Sequence, residues 1–187
     1  MLKASSALLS AKPYVSAQLT IVEAPDFTLT QYAGSDKDLK KALGKLPARV
    51  GVVQNGLLRV APDQIIAIHP LSRHSRESVN PTSSLSSKLD SRLRGKDGVA
   101  GVFITPLSSS RTRIEISGSP ARDVLAKCAA IDFHKSEFKS GTFAMTGIHH
   151  VPVLIHCVAG EIFHLYVLRT FALSIWDHVS DAALEFK

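Results

Sequence analysis

The chain has 187 residues, 45% of them hydrophobic, which suits one ordinary domain or two small ones and excludes a disordered chain. Its net charge of +6 suggests an anionic partner, but half of that charge sits in residues 73–98, where six basic residues stand against three acidic ones. Two cysteines, Cys128 and Cys157, are too few for a disulfide framework, and no apolar run approaches the roughly 18 residues that a membrane span needs.

The start, MLKASSALLSAKPY, carries a thin apolar patch without the continuous core of a secretory signal, and a Ser-rich organelle transit peptide is its other reading. QLTIVEA and FTLTQYA alternate apolar and polar residues around Pro25-Asp26 and read as two antiparallel strands. In SDKDLKKALGKL, Ser35 suits a helix N-cap and Asp36 and Asp38 suit the first turn. Leu39, Ala42, Leu43 and Leu46 recur at helical spacing. ARVGVV and GLLRV read as strands joined at Gln54-Asn55-Gly56, and QIIAI as a further strand after Pro62-Asp63.

The stretch RHSRESVNPTSSLSSKLDSRLRGKDG, 73–98, interrupts this pattern. It has almost nothing to bury, and Leu85, Leu89 and Leu93 give at most one exposed helix over 84–94 with a face one residue wide. Beyond it VFITPL is a strand. RTRIEIS alternates, with Thr112, Ile114 and Ile116 on one face and Arg111, Arg113 and Glu115 on the other. Ser119 is expected to cap a helix whose first position is Pro120, and Ala121, Val124, Leu125 and Cys128 give that helix its apolar face. VPVLIHCV and IFHLYVL flank Ala159-Gly160-Glu161 as a hairpin. Thr170 is expected to cap a last helix striped by Phe171, Ile175, Trp176, Val179, Ala183 and Phe186. The fold class is therefore α+β, a mainly antiparallel sheet with about four helices. The expected organisation is 1–72 and 99–187 as two halves of one compact unit, separated by the polar segment 73–98.

Few residues invite chemistry. SGSPARD places a glycine turn between a strand and a helix, as phosphate sites do, but lacks both G-x-G-x-x-G and the Walker spacing; ordinary capping accounts for it. If Ala159 to Glu161 form a three-residue loop, Val158 pairs with Ile162 and His156 stands opposite His164 on one sheet face. Two such imidazoles could share a metal. A third ligand is lacking, since Cys157 points to the other face and His149 and His150 precede the strand, so hydrogen-bonded histidines are the plainer reading. The cysteines lack a local base, no G-x-S-x-G or H-E-x-x-H occurs, and the carboxylates form no readable acid–base pair. The residues assign no catalytic, cofactor-binding or metal site to this chain.

A series of motifs in the C-terminal half resembles the gamma subunit family of bacterial heterotetrameric sarcosine oxidase. In order they are S-x-x-R-T-x-I-x-I-S-G (Ser108 to Gly118), A-R-D-V-L-A-K-C (Ala121 to Cys128) and I-D-F-H (Ile131 to His134). F-x-x-G-T-F-A-M-T (Phe138 to Thr146), P-V-L-I (Pro152 to Ile155) and Y-V-L-R-T-F-A-x-S-x-W-D (Tyr166 to Asp177) follow. The likeness is dense from Ile104 to Phe186, fair from Leu57 to Ile68 and loose before that. It implies a fold similar to the folate-binding aminomethyltransferase domain. It also implies a cytoplasmic, non-catalytic chain in a complex that oxidatively demethylates sarcosine to glycine, giving formaldehyde or 5,10-methylenetetrahydrofolate and hydrogen peroxide. The implied partners are the alpha, beta and delta subunits, with no nucleic acid and no membrane. The implied FAD, FMN, NAD and tetrahydrofolate sites lie on the large subunits, and zinc on the delta subunit. The other readings are a separate folate-binding domain, or a basic nucleic-acid binder resting on 73–98 alone.

That segment has no counterpart in the family pattern and resembles a translated palindromic DNA repeat. With suitable codons for Arg73 to Pro81, the reverse complement in a shifted frame reads Asp-Ser-Arg-Phe-Arg-Gly-Asn-Asp. The chain has DSRLRGKDG at Asp90 to Gly98, and each of the two differences needs one base change. Sequencing the gene is expected to show an inverted repeat across these codons; its absence removes this reading.

Overall fold

The structure, a computed structural model, describes residues 5–70 and 101–186. Every strand pair is antiparallel, and the strands form two sheets. The chain divides into one unit of 1–25 with 109–187 and another of 26–108. The segment 73–98, including the helix expected over 84–94, lies outside the described residues. Among the described residues there are three α-helices.

In the first unit the strands are β1 (Tyr14–Val15), β2 (Leu19–Glu23), β8 (Arg111–Gly118), β9 (Thr142–Ile148), β10 (Val151–Ala159) and β11 (Ile162–Leu168). Their order across the sheet is β1-β2-β8-β11-β10-β9. Alternation sends Ile21, Ile114, Ile116, Val153, Ile155, Phe163, Leu165 and Val167 to one face, all essentially inaccessible to water. Helices α2 (Ala121–Cys128) and α3 (Ala172–Ala182) complete this core with Val124, Leu125, Ile175, Trp176 and Val179. Burying these apolar surfaces supplies the driving force at about 25 cal/mol per Å².

The second unit holds β3 (Phe27–Gly34), β4 (Val53–Gln54), β5 (Leu57–Ala61), β6 (Gln64–Pro70) and β7 (Val102–Pro106), ordered β4-β5-β6-β3-β7. Helix α1 (Asp36–Leu43) drives Leu39 into a core with Tyr32, Leu46, Leu57, Ile65 and Ala67. Ser35 is its N-cap, accepting from the Asp38 amide at 3.2 Å. Asn55 and Gly56 form the two-residue β4–β5 turn, both with positive φ as a type I′ hairpin requires.

Four details depart from the pattern read along the chain. ARVGVV is not a strand: only its last residue, Val53, enters β4, and 48–51 form bends and a turn. QLTIVEA and FTLTQYA do not pair with each other: β2 joins β8, and β3 joins β6 and β7. Alternation reports which face of a strand is buried, not which strand lies beside it. Neither helix start uses the expected cap. Pro120 occupies the N-cap of α2, and α3 starts after a 3-10 turn, Arg169–Phe171, with Phe171 at the cap. Neither cap residue makes a side-chain cap hydrogen bond. Finally, the β10–β11 loop is one residue shorter than expected. Ala159 pairs with Ile162, and a bulge at Val158 restores the register, so His156 still meets His164.

The β9–β10 turn is strained. Ile148 pairs with Val151, leaving His149 and His150 as the two loop residues, with φ of 48° and 66°. Such a turn favours Asn-Gly, because a Cβ in the left-handed region costs about 1–2 kcal/mol. His150→Gly is therefore expected to stabilise the protein by roughly 0.5–1 kcal/mol. A lower urea midpoint in that variant would contradict this account of the turn.

Candidate functional site

The face of the six-stranded sheet opposite the helices carries polar groups in register. On β8, Arg111, Arg113 and Glu115 point away from Thr112, Ile114 and Ile116. Pairing with β11 sets Tyr166 beside Arg113 and His164 beside Glu115, and pairing with β10 sets His156 beside His164. A row of Glu115, His164 and His156 thus crosses three strands. Glu115 Oε2 accepts from His164 Nε2 at 3.1 Å, and the rings of His156 and His164 stand edge to face, 6.3 Å between centroids. Nδ1 of His156 is buried without a hydrogen-bond partner among the described residues. Arg113 donates through Nε to the Ala24 carbonyl at 2.9 Å and pairs across the strands with Tyr166, whose pKa burial raises against the opposing pull of Arg113.

Burial, then the neighbouring His164, pushes the His156 pKa down to about 4. Burial first and Arg113 second also lower His164, against the upward pull of Glu115. Both imidazoles are therefore neutral at pH 7, and the carboxylate fixes the tautomer of His164. Such a row can hold or pass a proton, and its donors are of the type that binds metals. Among the described residues, however, no three His, Cys, Asp or Glu side chains converge as a metal-binding set.

The shift has a stability consequence with a definite sign. Folded His156 takes its proton only near pH 4, the unfolded chain near 6.5. Between those values the unfolded state binds more protons, so stability rises with pH. The contribution is complete above about pH 6.5 and is lost as pH falls to about 4, a change on the order of 3 kcal/mol. His156→Gln is expected to flatten the urea-midpoint profile in that window. An unchanged profile would contradict it.

The SGSPARD segment is occupied by structural work. A Cβ on Gly118 would sit 2.0 Å from the Gln18 carbonyl oxygen, so the glycine serves the close approach of β2. Arg122 turns inward rather than towards a ligand. Its Nε donates to Glu161 Oε2 at 2.9 Å, Nη1 to the Phe133 and Phe138 carbonyls at 2.6 and 3.0 Å, and Nη2 to the Gly160 carbonyl at 2.9 Å. The guanidinium carbon lies 5.1 Å from the Phe163 ring centre. Lys135 adds a second cation to Glu161 at 2.8 Å.

Both cysteines are buried and free. Burial, opposed by Lys127, pushes the Cys128 thiol up to about 11, and burial likewise raises Cys157, so neither is a thiolate nucleophile at neutral pH. Three participants escape a reading along the chain. Glu115 is a mid-strand carboxylate whose partner arrives from β11. Arg122 looks like a surface helix residue. His178 stacks on His149, with ring centres 4.4 Å apart. Each depends on a pairing between elements distant in sequence. Among the described residues, no helix is long and apolar enough to cross a membrane.

Comparison with known proteins adds to this geometry. The family model described as "Sarcosine oxidase, gamma subunit family" matches residues 38–185. A sarcosine oxidase subunit gamma from Corynebacterium sp. (strain P-1) is 26% identical over 160 residues, 82% of this chain and 72% of that protein. One from Arthrobacter sp. is 28% identical over 154 residues, 79% of this chain and 69% of that protein. Among solved structures, a chain of the heterotetrameric sarcosine oxidase from Corynebacterium sp. U-96 superposes with a TM-score of 0.80 at 22% identity, covering 98% of this chain and 96% of that one. Aminomethyltransferase T of the glycine cleavage system from Bartonella henselae shares the fold at a TM-score of 0.57 and 14% identity, over 87% of this chain and 45% of that longer one.

Proposed function

The chain belongs to the sarcosine oxidase gamma subunit family, and from that premise we propose that it is the gamma subunit of a heterotetrameric sarcosine oxidase. In this reading it takes no part in the chemistry itself. Its partners are the alpha, beta and delta chains, in the cytoplasm. Those chains hold the flavins, NAD, the folate site and zinc, and they carry out the oxidative demethylation of sarcosine. The observation that carries the proposal is the family match across residues 38–185, which spans both structural units.

The architecture supports a scaffold rather than a catalytic role. Arg122 is spent on main-chain carbonyls, both cysteines are buried with raised pKa values, and Glu115 is spent on His164. His156 and His164 are the residues best placed to contradict this, being neutral, adjacent and partly open to solvent. The test is the assembled oxidase carrying His156→Gln and His164→Gln in this chain. Sarcosine-dependent hydrogen peroxide formation is expected to keep its kcat. A loss of kcat in a complex that still assembles and keeps its flavins would overturn the non-catalytic reading.

A further inference from the structure

His149 and His150 hold the β9–β10 turn in a conformation that their side chains disfavour. Two successive non-glycine residues with positive φ are disfavoured relative to the glycine-bearing pair such a turn prefers. Strain of this kind persists where a side chain is needed at that point. One of the two has an evident task. The His149 ring lies against the ring of His178 on α3, with centroids 4.4 Å apart and planes inclined by 29°. The turn stands at the end of β9, where Ile148 bridges to Ala129 just after α2. Both histidines belong to the same structural unit, and neither is buried.

We propose that His149 and His178 form a surface binding site for a divalent late transition-metal ion, held by the two imidazoles with solvent in the remaining positions. Imidazole nitrogens bind such ions at about 2.0–2.1 Å, so two ligands on one ion stand roughly 3 Å apart. The ring centres are already only 4.4 Å apart, and a rotamer change of one ring out of the stack would turn the two in-plane nitrogen lone pairs towards a common point. Neutral imidazole favours copper, nickel and zinc over magnesium or calcium, with copper the tightest. No third His, Cys, Asp or Glu joins the pair among the described residues. The site is therefore open and exchangeable, unlike a closed four-ligand structural centre. The bound ion would clip the β9–β10 turn to α3, turning the strain of the loop into pre-organisation of a ligand.

The test is thermal unfolding of the full chain, without a histidine tag, in the presence of nickel or copper ions alone. A metal that binds the folded state raises the melting temperature by linkage. Wild type is expected to show a concentration-dependent rise. His149→Asn, which suits the turn, and His178→Gln are each expected to weaken the apparent affinity at least tenfold. His150→Gly and His156→Gln are expected to keep the wild-type response. No response in wild type overturns the proposal. So does a response that survives in the His149→Asn/His178→Gln double variant, which would place the ion elsewhere.

Discussion

Replacing Arg122 with methionine is expected to lower the free energy of unfolding by about 3–5 kcal/mol, among the largest effects of any single substitution in this chain. The guanidinium is nine-tenths buried and joins three segments: α2, the loop bearing Phe133 and Phe138, and the β10–β11 turn. Removing it strips the carbonyls of Phe133 and Phe138 of this donor and leaves Gly160 with the Cys157 thiol at 3.7 Å, and each orphaned acceptor costs about 1–3 kcal/mol where water cannot replace it. It also removes one of the two cations on Glu161. Lysine is not expected to rescue the loss, because one ammonium cannot reproduce a planar fork that reaches four acceptors. Urea denaturation measures the effect; a loss below about 1 kcal/mol would contradict the role given to Arg122.

Deleting residues 73–98 is expected to disrupt the second unit, although the family resemblance gives that segment no counterpart. The reason lies in its endpoints. β6 and β7 flank β3 and run parallel to each other, with Pro70 beside Phe27 and Val102 beside Gly34. Those points are separated by the length of β3, roughly 24 Å at 3.4 Å per residue. Deletion leaves five residues between Pro70 and Val102. Six Cα steps reach only about 21 Å when fully extended, before any allowance for crossing the sheet. Parallel strands of one sheet are joined by a crossover of about a dozen residues or more, and this one must also pass β3. The repeat-like sequence would then have replaced a needed connection rather than lengthened a loop. A twelve-residue helical linker in its place is expected to restore folding. If the bare deletion folds with wild-type stability, the topology around β7 is wrong.

The local parts of this fold were legible because they rest on short-range rules. The i, i+3, i+4 and i+7 spacing of Ala121, Val124, Leu125 and Cys128 predicts the buried face of α2, and all four are buried. Ser35 is found where a cap belongs. The His156–His164 pairing was also legible, although by a different route: the loop is shorter than read and the Val158 bulge compensates. What sequence could not supply was adjacency at long range. Nothing in QLTIVEA says that it will lie against β8 rather than FTLTQYA. Nothing in RTRIEIS says that Glu115 will meet an imidazole from a strand about fifty positions later. Arg122 was hidden for the same reason, because its partners come from loops that only the folded chain brings together.

The excess of +3 in residues 73–98 created the case for an anionic partner, and outside them the chain is only mildly basic. A nucleic-acid role would need a basic surface built by the fold, with bases stacked on aromatic side chains. Phe133, Phe138 and Phe163 are buried against one another and Arg122, while Phe103 and Phe171 are exposed.

The most direct measurement is co-purification of the affinity-tagged full chain, co-expressed with the alpha, beta and delta chains of the oxidase. The expected result is a stoichiometric, yellow complex that produces hydrogen peroxide from sarcosine. A colourless chain that elutes alone, beside an oxidase that assembles fully without it, would contradict the assignment.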